Sequence, residues 1–196
     1  MKATITSDNE KQKTKLKKQA KKPEGKGFKS ERDNDYFEGY GDLSIHVEML
    51  SDFVRTDTYR RGILAAGVKD KIVLDIGAGT GILSIFAAQA GAKHVYAIEP
   101  SAVASDMQEI INDNGYSDKI TIVRKLSEDL TLEDLGGRKP DFIVSEWMGY
   151  FLYFEGMLPS VIKARQMFGD TAKMLPSNGT LRLSLLTDGK YYRKFG

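Results

Sequence analysis

Nine residues, Val73-Leu-Asp-Ile-Gly-Ala-Gly-Thr-Gly81, constrain the fold of this chain more than any other stretch. The run before them, Lys71–Asp75 (Lys-Ile-Val-Leu-Asp), is short, apolar and β-branched and stops at glycines, which predicts a buried parallel strand. The run after them predicts a helix over 81–90, ended by Gly91. Gly77, Gly79 and Gly81 therefore lie in a strand-to-helix turn, where a chain without Cβ atoms can reverse sharply and let a ligand approach the backbone. The free N–H groups of the helix start favour an anionic end such as a carboxylate. A dinucleotide fingerprint needs a small residue one place beyond Gly81, and Ile82 stands there instead. Asp75, at the carboxyl end of the strand, is expected to place negative charge beside a cationic part of the ligand.

The pattern repeats downstream. Val95–Glu99 reads as a second strand, 101–114 as a helix closing near Asn114-Gly115, Lys119–Arg124 as a third strand and Asp141–Glu146 as a fourth, with a helical stretch over about 155–168. Upstream, 44–65 reads as one or two short helices with Ser44 as N-cap. Such alternation specifies an α/β domain with a parallel sheet, which takes ligands outside the carboxyl ends of its strands. Glu99 follows Gly81 by 18 residues, and a carboxylate there can accept from both hydroxyls of a ribose. The ligand so described is a nucleoside with an amino-acid end, and S-adenosylmethionine fits both halves.

Composition removes several alternatives. The absence of cysteine excludes disulfides, thiolate metal sites and cysteine nucleophiles, and His46 and His94 have no metal-ligand spacing, so no metal is expected. No apolar run reaches the length of a membrane span, which gives the expectation of a soluble protein of nucleus or cytoplasm. The net charge of +2 is unevenly spread: residues 1–30 hold ten lysines against Asp8, Glu10 and Glu24, a formal +7, which leaves −5 on the rest. Residues 1–34 are too polar to form a core and are expected to be a disordered basic tail. Its cluster Lys15–Lys22 reads as a nuclear-import signal, a nucleic-acid contact or a plain solvated tail. The acidic remainder suits cationic substrates better than nucleic acid, so direct nucleic-acid binding is not expected.

Two further segments carry a resemblance. Ser145-Glu-Trp-Met-Gly-Tyr-Phe-Leu-Tyr-Phe-Glu155 sets two carboxylates nine residues apart around an aromatic, glycine-containing hairpin. Upstream stand Tyr36-Phe-Glu-Gly-Tyr40, His46-Val-Glu-Met49 and Arg55-Thr-Asp-Thr-Tyr-Arg-Arg-Gly-Ile63. The glycine loop and Glu99 resemble the seven-strand methyltransferase class. The two-glutamate loop and the upstream signature resemble protein arginine methyltransferases, with a lean toward the type I branch numbered six. The family commonly has a glutamate where Val47 stands.

The resemblance implies a Rossmann-like S-adenosylmethionine-dependent methyltransferase fold, spanning 35–177, with N-terminal helices. It implies transfer of a methyl group to arginine guanidino nitrogens of protein substrates such as histones or Gly-Arg-rich proteins. Glu146 and Glu155 become the catalytic pair. His46, Arg55, Asp75, Gly77, Gly79, Gly81, Glu99 and Glu128 become cofactor contacts, Arg55 on the methionine carboxylate and Glu128 on the adenine amino group. Tyr36, Tyr40, Met49 and Met157 become substrate contacts, although Tyr36, Tyr40 and Met49 read equally as core, and Trp147 and Tyr153 equally as packing residues. An arginine keeps its proton, and the sulfonium donor is also a cation, so two carboxylates are needed to neutralise and orient the guanidinium.

The family also carries a substrate-binding β-barrel, a dimerisation arm and a Thr-His-Trp loop, and its full-length members pair as homodimers. Residues 178–196 are expected to supply only the first barrel strand, within Met174–Leu186, so the chain reads as a fragment lacking the dimer arm. The alternative is a catalytically inactive cofactor-binding or regulatory module of the same family.

Overall fold

The computed structural model describes residues 43–168, 172–187 and 189. Tyr36, Tyr40 and the basic tail lie outside the described residues. What is described falls within one compact unit, Asp35–Gly196.

Two helices, α1 (Leu43–Ser51) and α2 (Phe53–Ala66), precede β1 (Ile72–Ile76). Then follow α3 (Ile82–Gln89), β2 (His94–Ile98), α4 (Ala104–Asp113), β3 (Ile120–Val123), β4 (Phe142–Val144), α5 (Leu158–Phe168) and β5 (Lys173–Leu175). All the strand pairs are parallel, in the order β3-β2-β1-β4-β5. The connections run outward from β1 through β2 to β3 and then return to β4 on its other side. The switch point therefore lies at the carboxyl ends of β1 and β4, where such sheets take their ligands.

Alternation along the strands divides the core in two. Val73, Val95 and Val144 point into one cluster with Ile63, Phe86, Met107 and Ile111 from the helices. Leu74, Ile98 and Ile143 point into the other, with Val161, Phe168, Leu130 and Trp147. All five residues of β1 are buried, as a central strand covered on both faces requires.

Three expectations are corrected. Ser44 lies inside α1 and is not its cap. The capping aspartate belongs to α2: Asp52 accepts from Arg55 N at 3.0 Å and ends α1 where the sequence leaves one long helix open. The helix of 155–168 starts only at Leu158, because Gly156 has φ +65° and breaks the run. The barrel strand does not form among the described residues. Lys173–Leu175 joins the parallel sheet beside β4, and 180–187 forms no strand with any of the described residues, with Leu183, Leu185 and Leu186 at 88%, 104% and 82% exposure. Its Leu-x-Leu-x-Leu alternation satisfies one face of a strand, but a strand needs a neighbouring ladder, and none of the described residues provides one.

Candidate active site

The glycine turn has the conformation that its composition requires. Gly77, Gly79 and Gly81 take φ of +69°, +57° and +86°, and Gly81 caps α3 in a left-handed conformation. The turn is also tightly covered. A Cβ on Gly77 would come within 2.3 Å of Met157 Cε, and one on Gly79 within 3.0 Å of His46 Cε1. Thus His46, buried on α1, and Met157, just before α5, wall the turn from two sides. Met157 meets the glycine turn itself.

Glu99 follows β2 and binds that same turn. Its Oε2 accepts from Gly79 N at 2.9 Å and its Oε1 from Ser101 N at 2.8 Å. A carboxylate offers about four acceptor positions, so one on each oxygen is left for a ligand. The turn is also tied to β2 by Gly77 N and Ala78 N, each donating to Ile98 O at 3.0 Å.

Asp75 behaves differently from its expected role. It is fully buried, with Oδ2 accepting from Ser84 Oγ at 2.7 Å and Oδ1 left without a protein donor. It ties β1 to α3 and does not present its charge at the surface. Burial raises its pKa to about 7, against the lowering effect of the Ser84 hydrogen bond and with a smaller rise from Glu99.

The two-glutamate segment forms a tight hairpin, as its sequence suggests. Gly149 N donates to Leu152 O at 3.3 Å and Leu152 N to Gly149 O at 2.9 Å, with Phe151 and Leu152 at φ +50° and +67°. Glu155 packs on Gly149 so closely that a Cβ there would fall 2.6 Å from Glu155 Cγ. That contact is a reason for glycine at 149. Trp147 is buried in the core beside Leu152, whereas Tyr150, Phe151, Tyr153 and Phe154 are exposed.

Glu146 already has a cationic partner. Arg55 Nη2, from the first turn of α2, forms an ion pair with Glu146 Oε2, with the two side chains 31% and 17% exposed. Arg55 was expected on a cofactor carboxylate, and the structure places it on the first glutamate. One turn later on α2, the Tyr59 hydroxyl donates to Ser145 O at 3.1 Å. Burial pushes the Tyr59 phenol well above its ordinary pKa, which keeps it a donor.

Glu128 stands in a 3-10 turn after β3, accepting from Ser127 Oγ at 3.1 Å and from Ser160 Oγ. Met49 is half-buried on α1, one turn from His46, and Val47 lies on that helix's exposed side. Sequence reasoning missed Tyr59, Ser84, Ser101 and Ser145; the partners of Tyr59 and Ser145 lie 86 and 69 positions away, where no local spacing marks them. An open cleft of about 450 Å³ along β5, lined by Phe142, Arg165, Lys173 and Leu175 among others, includes no residue of either loop. Among the described residues no cluster of His, Asp and Glu could hold a metal, and no helix is long and apolar enough to cross a membrane.

A parallel sheet whose β1 turn is glycine-rich, with an acid after β2 binding that turn, defines the Rossmann-like fold of S-adenosylmethionine-dependent methyltransferases. Residues 63–153 match the family model described as Ribosomal protein L11 methyltransferase (PrmA). Protein arginine N-methyltransferase 1 of Chlamydomonas reinhardtii is 50% identical over 159 residues, which cover 80% of this chain and 45% of the relative. Probable protein arginine N-methyltransferase 6.1 of Oryza sativa subsp. indica is 44% identical over 166 residues, covering 83% of this chain and 43% of the relative. Both numbered branches are thus among the relatives, and the identities do not single out the sixth. The Trypanosoma brucei protein arginine methyltransferase 1 enzyme-prozyme heterotetrameric complex with AdoHcy superposes with a TM-score of 0.64 at 48% identity, over 69% of this chain and 43% of that one. Over the segment it spans, the chain is similar to protein arginine N-methyltransferases. It spans less than half the length of these three relatives.

Proposed function

We propose that the chain carries the cofactor-binding part of an S-adenosylmethionine-dependent protein arginine N-methyltransferase. The observation that supports this best is the meeting, at one end of the sheet, of three features. These are a glycine turn that accepts no Cβ, an acid that still has free acceptor positions, and a glutamate hairpin.

The residues fit that cofactor. The α3 start and the turn suit an amino-acid end. Glu99 has the lone pairs for two ribose hydroxyls, and Glu128 those for an amino group. Arg55 uses one nitrogen on Glu146, which leaves the rest of its five-donor fork for a carboxylate. When bound, S-adenosylmethionine supplies an electrophilic methyl on a cationic sulfonium. Glu146 and Glu155 take a guanidinium from the other side, neutralise it and orient one nitrogen toward that methyl. By this reading His46 and Met157 line the cofactor turn, while Met49 and the undescribed Tyr36 and Tyr40 belong to the arginine slot. The substrates are arginine-rich protein segments, histones and Gly-Arg-rich proteins among them, in the nucleus or cytoplasm. Pairing with a related chain follows from the same likeness, since the trypanosome relative is heterotetrameric.

Calorimetry with S-adenosylhomocysteine and labelled methyl transfer to a Gly-Arg-rich peptide test the two halves separately. Glu146→Gln is expected to lower kcat by about a hundredfold or more, the scale of losing one charge-stabilising group. It is expected to leave cofactor affinity within about threefold, since one weak contact at most is disturbed. Folded protein that binds no S-adenosylhomocysteine overturns the proposal.

A further inference from the structure

We propose that Ser145 is a positioning residue that couples the glycine turn to the first glutamate, an inference that rests on the function proposed above. Ser145 is 1% exposed, and every polar group it has is committed. Its N donates to Leu175 O at 3.0 Å, its hydroxyl donates to Ile76 O at 2.8 Å, and its carbonyl accepts from Tyr59 at 3.1 Å.

The placement of these bonds gives the residue its role. The β1–β4 ladder ends at the pair Asp75↔Val144. One residue further on, the strands no longer pair through their backbones, and the Ser145 side chain carries the connection onward to Ile76. Ile76 is followed directly by Gly77, and Ser145 directly by Glu146. A single buried hydroxyl thus joins the last rigid residue before the cofactor turn to the last rigid residue before the glutamate. Displacement of the turn is passed to Glu146 through this bond. The Tyr59 bond holds the same peptide from α2, the helix that also supplies Arg55 to Glu146.

The chain has a built-in reporter two residues away. Trp147 is the sole tryptophan, and it is buried against the hairpin. Its emission is to be titrated with S-adenosylhomocysteine, beside calorimetry, in wild type, Ser145→Ala, Ser145→Thr and Tyr59→Phe. In wild type the emission is expected to change with the midpoint that calorimetry gives. Ser145→Ala is expected to bind within about threefold of wild type, as for one neutral hydrogen bond away from the ligand, yet to lose most of the emission change. Ser145→Thr, which keeps the hydroxyl, restores it. Tyr59→Phe, which leaves the Ser145–Ile76 bond in place, retains it. If Ser145→Ala does not fold, Ser145→Cys, with its weaker donor, takes its place with a reduced emission change expected.

A full emission change in the folded alanine or cysteine variant overturns the inference, as does a wild type that binds without any change. A folded threonine variant that stays silent also overturns it. Absence of calorimetric binding in wild type is a different result: it removes the proposed function, and this inference with it.

Discussion

Asp75 is a carboxyl group held where water cannot reach it, and its protonation is therefore tied to folding. Its folded-state pKa of about 7 lies above the ordinary 3.8 because desolvation penalises the charged form. The folded state then binds the proton more tightly than the unfolded one. This contribution to stability is fully present below about pH 4 and is lost as pH rises through about 7. Thermal melts of wild type and Asp75→Asn across that window are expected to converge in their pH response at the acidic end. Above it, the asparagine variant should lack the decline that wild type shows. Oδ1 has no protein donor, so the amide has room for a different hydrogen-bonding pattern without breaking the bond from Ser84.

At the scale of elements, α2 is the part on which the glutamate side of the site depends. It supplies Arg55 and Tyr59 from one face, and its first turn is held by Asp52. Asp52→Ala is expected to cost about 1 kcal/mol in denaturant titration, the usual value of an N-cap. Amide exchange at Phe53–Thr56 is expected to accelerate at the same time, and protection there equal to wild type would count against the cap's importance. Most elements were legible because β-branched runs and glycine stops mark them locally. The strands β3 and β4 fall within the predicted segments, β1 and β2 overlap theirs with a shift of one residue, and the two-glutamate hairpin closes as its glycine and aromatic residues suggest. What was not legible depends on distant partners. Lys173–Leu175 has no strand signature of its own and becomes β5 only because β4 offers it an edge. Leu181–Leu186 has that signature and, among the described residues, no edge. Arg55 meeting Glu146, and Ser145 meeting Ile76, join residues 91 and 69 positions apart, which no local spacing encodes.

The whole molecule is uneven in how well its parts are covered. The central strands β1, β2 and β4 are buried on both faces, while Leu183, Leu185 and Leu186 stand in solvent near 80% exposure or more, as does Phe151 in the hairpin. Apolar residues exposed in this way invite self-association. Replacing Leu183 and Leu185 with serine is expected to reduce light scattering at high protein concentration while moving Tm by about 2 °C or less, since surface changes seldom alter stability by more than about 0.5 kcal/mol. The same contrast decides what a ligand can be felt by. The glycine turn leaves from β1, the middle strand, which is paired on both sides. Its floor cannot open without separating the sheet, so it belongs to the last region to exchange its amides. A ligand held there would raise the melting temperature of the entire unit, whereas one held by the 149–155 hairpin alone would be lost to local opening first. Thermal shift would then act as a map, separating compounds seated on the turn from those that only touch the hairpin.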